Sequence, residues 1–147
     1  MYLRRTRDRM PAPTGLTIDR IDHLLLLVVD LEKSVAFYER VVGCTVETRL
    51  PRYGMIELRA GESHLDLVDV SAPEGAWARP EILGGRNVDH VALAVASHDA
   101  RALRAHLAAL GVEVGEERLE GDRTSFYVRD PSGNTIELRS AAQKADA

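Results

Sequence analysis

An apolar run opened by an Asp-His pair occurs twice in this chain. Ile21-Asp22-His23-Leu24-Leu25-Leu26-Leu27-Val28 and Val88-Asp89-His90-Val91-Ala92-Leu93-Ala94-Val95 share that pattern, with the two histidines 67 residues apart. Self-similarity at a fixed spacing means one supersecondary unit built twice. A fold made this way must give the two histidines equivalent places.

The flanking sequence repeats as well. Residues 18–29 read as a strand, and Asp30 stands at a helix N-cap. Leu31, Val35, Tyr38 and Val42 then recur at helical spacing until Gly43. Strands are expected over 45–50, 55–60 and 64–70, with a turn at 51–54. After a Pro- and Gly-containing linker, 71–87, the pattern restarts: a strand over 88–96, a cap at Ser97, and a helix face of Leu103, Leu107 and Leu110 ending at Gly111. Strands over 112–117, 124–129 and 135–139 follow, the last two joined through Asp130-Pro131-Ser132-Gly133, whose Pro and Gly suit a tight turn. Gly43 maps to Gly111, Arg59 to Arg129 and Asp66 to Glu137, so the repeated unit is strand, helix and three strands. The expected class is α+β: two βαβββ modules, 18–70 and 88–140, in a single domain over 18–140. Residues 1–17 read as a loose arm and 141–147 as a frayed end.

With 147 residues, 45% of them apolar and 29% charged, the chain can bury a core without covalent staples. Its one cysteine, Cys44, cannot pair within the chain and fits a reducing cytoplasm. A net charge of −4 argues against a nucleic-acid partner, despite Arg4, Arg5, Arg7 and Arg9. No stretch approaches the length of a membrane span.

His23 and His90 open the first strands of the modules, while Asp66 and Glu137 sit inside the last strands between Leu and Ile residues. Buried carboxylates are costly unless paired or metal-bound. Two imidazoles with one or two carboxylates suit a divalent first-row metal such as Zn, Ni, Mn, Fe or Co. The expectation is that His23, Asp66, His90 and Glu137 share one concave cavity, with His64 as a substitute for Asp66. Tyr127 is placed to meet a bound substrate, and His98 and His106 are expected in solvent.

Taken together, Ile21-Asp22-His23, Asp30-Leu31-Glu32-Lys33-Ser34-Val35-Ala36-Phe37-Tyr38, Val88-Asp89-His90 and the run from Phe126 to Glu137 resemble the vicinal oxygen chelate superfamily. That superfamily includes glyoxalase I, bleomycin-binding and fosfomycin-resistance proteins, methylmalonyl-CoA epimerases and extradiol dioxygenases. The resemblance implies a metal-binding cup, with His23, His90 and Glu137 at the recurrent ligand positions and Asp66 at the fourth. It also implies a homodimer acting on a small molecule. The leading expectation is an enzyme of glyoxalase I type, a lyase or isomerase working through a metal-stabilised enediolate, with Glu137 or Asp66 as general base. Alternatives are an extradiol-type dioxygenase, a fosfomycin-resistance-like enzyme adding thiol or water to an epoxide, and a non-enzymatic ligand-sequestering cup. Leu27 stands where similar glyoxalases carry an arginine, and Leu25 where fosfomycin enzymes carry a threonine. Both departures point to a more apolar cup and a less charged substrate.

Overall fold

The computed structural model describes residues 21–80, 88 and 90–143. The expected arm at 1–17, most of the second half of the 71–87 linker and the last four residues lie outside the described residues. Two four-stranded mixed sheets, each with its helix, make the α+β fold of two modules.

Module one runs β1 (His23–Val28), α1 (Leu31–Phe37), β2 (Thr45–Leu50), β3 (Met55–Ala60) and β4 (Ser63–Asp69), with sheet order β1-β4-β3-β2. Module two runs β5 (Val91–Ala94), α2 (Ala100–Ala109), β6 (Glu116–Glu120), β7 (Arg123–Arg129) and β8 (Thr135–Arg139), in the order β5-β8-β7-β6. In each sheet the first strand lies parallel to the last and the other neighbours are antiparallel.

The register makes the duplication literal. Asp66 lies opposite Leu25, two residues beyond His23, and Glu137 lies opposite Ala92, two residues beyond His90. Glu57 and Tyr127 are the matching antiparallel neighbours of the two acids.

Alternation along each strand gives the sheets two unlike faces. Leu26, Val28, Ile56, Leu58, Leu65 and Leu67 face the interior from sheet one, and Phe126, Val128, Ile136 and Leu138 from sheet two. Val35 and Tyr38 of the first helical segment and Leu103 and Leu107 of α2 join them in one continuous core. The acids and histidines belong to the opposite faces.

Local chemistry explains the helix ends. The Asp30 carboxylate accepts from the Lys33 N–H at 3.1 Å, although its own φ of 60° is left-handed, which aspartate tolerates better than most residues. The last turn of the first helix widens to π geometry over Tyr38–Val42 and stops at Gly43, whose φ of 85° costs a glycine nothing. In module two the cap is Asp99, accepting from Ala102 N–H at 2.9 Å. Ser97, the expected cap, instead bonds the ring of His98. The expected strand at 112–117 also shifts: Val112 and Val114 pack against the core from the connection, and pairing with β7 begins near Glu116. Within the linker Pro73–Ala78 forms a 3-10 turn held tightly on β4, since a Cβ at Gly75 would sit 1.9 Å from the Asp69 carbonyl oxygen. Among the described residues no helix is long and apolar enough to cross a membrane.

Two buried carboxylates organise the junctions. Asp69 accepts from the Leu31 N–H at 3.3 Å, the Ser71 N–H at 2.9 Å and the Ala72 N–H at 3.2 Å, and also from the Ser71 hydroxyl. Burial alone would raise this carboxyl, but those hydrogen bonds outweigh it and hold the group below the usual range. Asp130 accepts from the Tyr38 hydroxyl at 2.7 Å, the Ser132 N–H at 2.9 Å, and the Asn134 N–H and side-chain amide at 2.8 Å each. The first of those bonds crosses from one module to the other.

A carboxyl depressed in the folded state stabilises above its unfolded pKa, and that stability is lost as pH falls through the folded pKa. Asp69→Asn is therefore expected to lower the melting temperature at neutral pH and to flatten the acid limb of the stability–pH curve. Calorimetry between pH 7 and pH 3 checks both. Tyr38→Phe leaves Asp130 buried with one donor fewer, a loss of about 1–2 kcal/mol. The melting temperature should fall by roughly 3–8 °C in the same measurement.

Candidate metal and substrate site

On sheet one, His23, His64, Asp66 and Glu57 share the face turned away from the core. His23 Nε2 lies 3.9 Å from Asp66 Oδ2, while its Nδ1 meets Asp22 Oδ2 at 2.8 Å. The Asp22 hydrogen bond, and then the Asp66 charge, raise the pKa of the imidazole. Asp66 is only 7% exposed, and burial raises its carboxyl even though the nearby His23 pulls it down. His64, the proposed substitute, is turned aside: its Nε2 meets Glu47 Oε2 at 2.7 Å, and Arg59 shares that carboxylate through its Nε at 2.8 Å.

Sheet two repeats the arrangement with tighter contacts. His90 precedes β5, and its Nε2 lies 3.0 Å from Glu137 Oε2. Glu137 is 6% exposed, and its other oxygen accepts from the Ser125 hydroxyl at 2.6 Å. Tyr127 stands edge-on to His90 with ring centroids 5.6 Å apart. Burial and the adjacent Glu137 carboxylate hold its phenol above the ordinary tyrosine value. Ser125 escaped the sequence reading. Its signal was its place two residues before Tyr127, on the same face of the same strand.

The four expected donors therefore stand as two imidazole–carboxylate pairs, one on the outer face of each sheet. Among the described residues no three His, Cys, Asp or Glu side chains gather within a chain to hold a metal. Each pair offers one nitrogen and one or two oxygen donors, which suits a borderline divalent cation, but neither fills a coordination sphere alone. The outer faces also differ from each other. Sheet one presents Leu25 and Leu27 beside His23, together with Asp66, Glu57 and His64. Sheet two presents Arg118, Arg129 and Arg139 around Tyr127 and Glu137, so that half is strongly charged.

The remaining histidines are not in free solvent. His106 Nε2 bonds the Val41 carbonyl at 2.9 Å across the module junction, and its ring lies 5.6 Å from that of His98. Cys44 is buried, and that burial pushes its thiol up to about 11, consistent with packing rather than reactivity.

Residues 20–138 match the family model of the Glyoxalase/Bleomycin resistance protein/Dioxygenase superfamily, and the chain belongs to that superfamily. It is similar to the metallothiol transferase FosB of Bacillus licheniformis, 31% identical over 124 residues that span 83% of this chain and 75% of the relative. It is also similar to the glutathione transferase FosA of Serratia marcescens, 29% identical over 121 residues, 82% of this chain and 80% of that one. Among solved structures, the fosfomycin resistance protein FosX of Listeria monocytogenes shares the fold at a TM-score of 0.64. Its sequence is 22% identical, and the match covers 86% of this chain and 96% of that one.

In metal-free protein, an NMR titration should put the His23 imidazole above the ordinary 6.5 of a histidine. Asp22→Asn should bring that midpoint down, because it removes the largest cause of the rise. A midpoint that does not respond would show that the 2.8 Å contact contributes nothing.

Proposed function

We propose that this protein is a divalent-metal-dependent enzyme that opens a small epoxide by adding a thiol or water. The observation that carries this reading is the His90–Glu137 pair, buttressed by Ser125 and faced by Tyr127, in a chain similar to two relatives named as thiol or glutathione transferases. The glyoxalase I-like enediolate reading falls behind it, since those names fit the fosfomycin-resistance alternative better and Leu27 replaces the arginine of similar glyoxalases. Ring-cleaving oxygenation and ligand sequestration have no specific observation in their favour.

The donor set fits a cation. Asp66 and Glu137 are buried carboxylates whose nearest charge partner on the outer face is a histidine, and a divalent ion would compensate both. We place the complete site between two copies of the chain, the pair of one facing the opposite pair of the other. Support comes from the separation of the pairs within a chain and from the exposed apolar residues Ile21, Leu27 and Val29 along the His23 edge. A bound divalent cation would supply Lewis-acid polarisation of the oxirane oxygen.

The protein's own residues do the rest. Ser125 fixes the Glu137 carboxylate, the kind of supporting bond that orients ligands. Tyr127 remains protonated at neutral pH and donates a hydrogen bond to the substrate. In the reaction, the thiol sulfur forms a bond to an epoxide carbon, the carbon–oxygen bond breaks, and the proton lost by the thiol ends on the new hydroxyl.

His90→Ala is expected to abolish stoichiometric metal and to lower epoxide–thiol conjugation at least 100-fold, checked by elemental analysis and product chromatography. Ser125→Ala should weaken metal affinity roughly 10- to 100-fold with the fold intact. Turnover of the methylglyoxal–glutathione adduct without epoxide opening would instead restore the lyase reading. Apolar-ligand binding by metal-free protein that survives His23→Ala would favour sequestration.

A further inference from the structure

Each module opens on an Asp-His pair, yet only the histidine of each pair belongs to the donor set. The aspartate stands at 22 and again at 89, and Asp89 lies outside the described residues. Neighbours within a strand point to opposite faces, which would keep Asp22 away from the His23 ring. But β1 begins at His23, so Asp22 belongs to the chain leading in, and its carboxylate reaches His23 Nδ1 at 2.8 Å.

A carboxylate has no hydrogen to give, so this bond requires the proton on Nδ1. The neutral ring then carries a bare lone pair on Nε2. That nitrogen is the one turned toward Asp66, whose Oδ2 lies 3.9 Å away, too far for a direct hydrogen bond. In module two the same ring atom of His90 faces its own acid, Glu137, at 3.0 Å. Both imidazoles thus aim Nε2 at the paired carboxylate.

Stability does not account for the Asp22 contact. The side chains of His23 and Asp22 are 52% and 76% exposed, and ion pairs in such surroundings contribute little to folding. Its effect falls on the ring. Left to solvent, a neutral histidine keeps its proton mainly on Nε2, the form that cannot ligate through that atom. A carboxylate behind Nδ1 reverses the preference and makes Nε2 the more basic donor. The support differs between the modules: Ser125 fixes the acid of module two, and Asp22 fixes the histidine of module one.

We infer that Asp22 is a positioning residue that holds His23 in its Nδ1–H form and so presents Nε2, beside Asp66, as a ligand for the divalent cation. The inference rests on the metal-dependent reading above. Asp22 acts through the ring and needs no contact with substrate.

Two-bond proton–nitrogen NMR correlations of histidine-labelled, metal-free protein at alkaline pH, where the ring is neutral, report the tautomer directly. Wild-type His23 should show the Nδ1–H pattern. Asp22→Ala should move it to the Nε2–H pattern, while Asp22→Asn, whose side-chain carbonyl still accepts, should keep most of the first. In calorimetric titrations with zinc or manganese, Asp22→Ala should bind about tenfold more weakly than wild type, and Asp22→Asn should recover part of the loss. Glu74→Ala, which removes an exposed acid from the turn at the other end of β4, should leave tautomer and affinity unchanged. All four proteins should melt at the same temperature. An Nε2–H ring in the wild type, an Nδ1–H ring that persists in Asp22→Ala, or equal metal affinity of the two overturns the inference, whatever the epoxide activity. A tautomer that answers to Asp22 in a protein that binds neither metal removes the metal-dependent function and leaves the control of the ring by Asp22 standing.

Discussion

The Asp130 carboxylate is the joint on which the two modules depend. It is buried, and an ionised group there must be met by donors or its desolvation would oppose folding. Three of its donors come from its own turn, Ser132 and Asn134, and the fourth is the hydroxyl of Tyr38 in the other module. The same turn continues outward: the Ser132 hydroxyl accepts from the Val29 N–H at 2.9 Å, and the Asn134 amide donates to the Leu27 carbonyl at 3.1 Å. One tight turn of module two thus fixes the end of the strand that carries His23. The desolvated Tyr38 phenol beside that carboxylate has its pKa driven far above the ordinary value, so it is a permanent donor.

This joint explains why the turn sequence and the helix sequence belong to one pattern. Asp30 through Tyr38 and Asp130 through Asn134 are far apart in the chain, yet they supply opposite sides of a single hydrogen-bonded cluster. The cluster is local in its chemistry but sets the relative placement of two sheets. Apolar packing of Val35, Leu103, Leu107 and Phe126 supplies most of the driving force. Directional bonds at Asp130 select one docking of the modules among the many that a greasy interface would accept.

Much of this was legible in the sequence because the duplication doubled every weak signal. Gly43 and Gly111 ended helices as expected, with φ values of 85° and 66°. Most strands fell within a residue or two of the expected spans, and Asp66 and Glu137 came out at matching register positions. What failed was local and had physical causes. Ser97 looked like a cap, but the short β5 ends at Ala94 and the helix begins late enough for Asp99 to take the role. Val112 and Val114 looked like a strand because β-branched residues favour one, yet packing claimed them and β6 formed from a charged stretch downstream. The role of Ser125 was invisible, since it depends on which neighbours a register brings together. The division of the donors into two pairs was equally hidden: a repeat states that positions are equivalent, not that they meet.

Equivalent positions also need not be identical in reach. Glu137 extends to 3.0 Å from His90 with one oxygen and takes Ser125 with the other, whereas Asp66, one methylene shorter, stops 3.9 Å from His23. At the position matching Ser125, module one has Met55, which offers no hydroxyl to fix the acid. At the position matching Tyr127 it has Glu57, a like charge that raises the Asp66 carboxyl further. Module two therefore presents a preorganised ligand pair and module one a looser one. In the proposed centre that asymmetry assigns the firm grip on a cation to His90 and Glu137. It leaves the His23–Asp66 side as the part able to yield when a substrate oxygen approaches. A duplicated scaffold acquires an entry side and an anchoring side through three such substitutions, with no change in backbone plan.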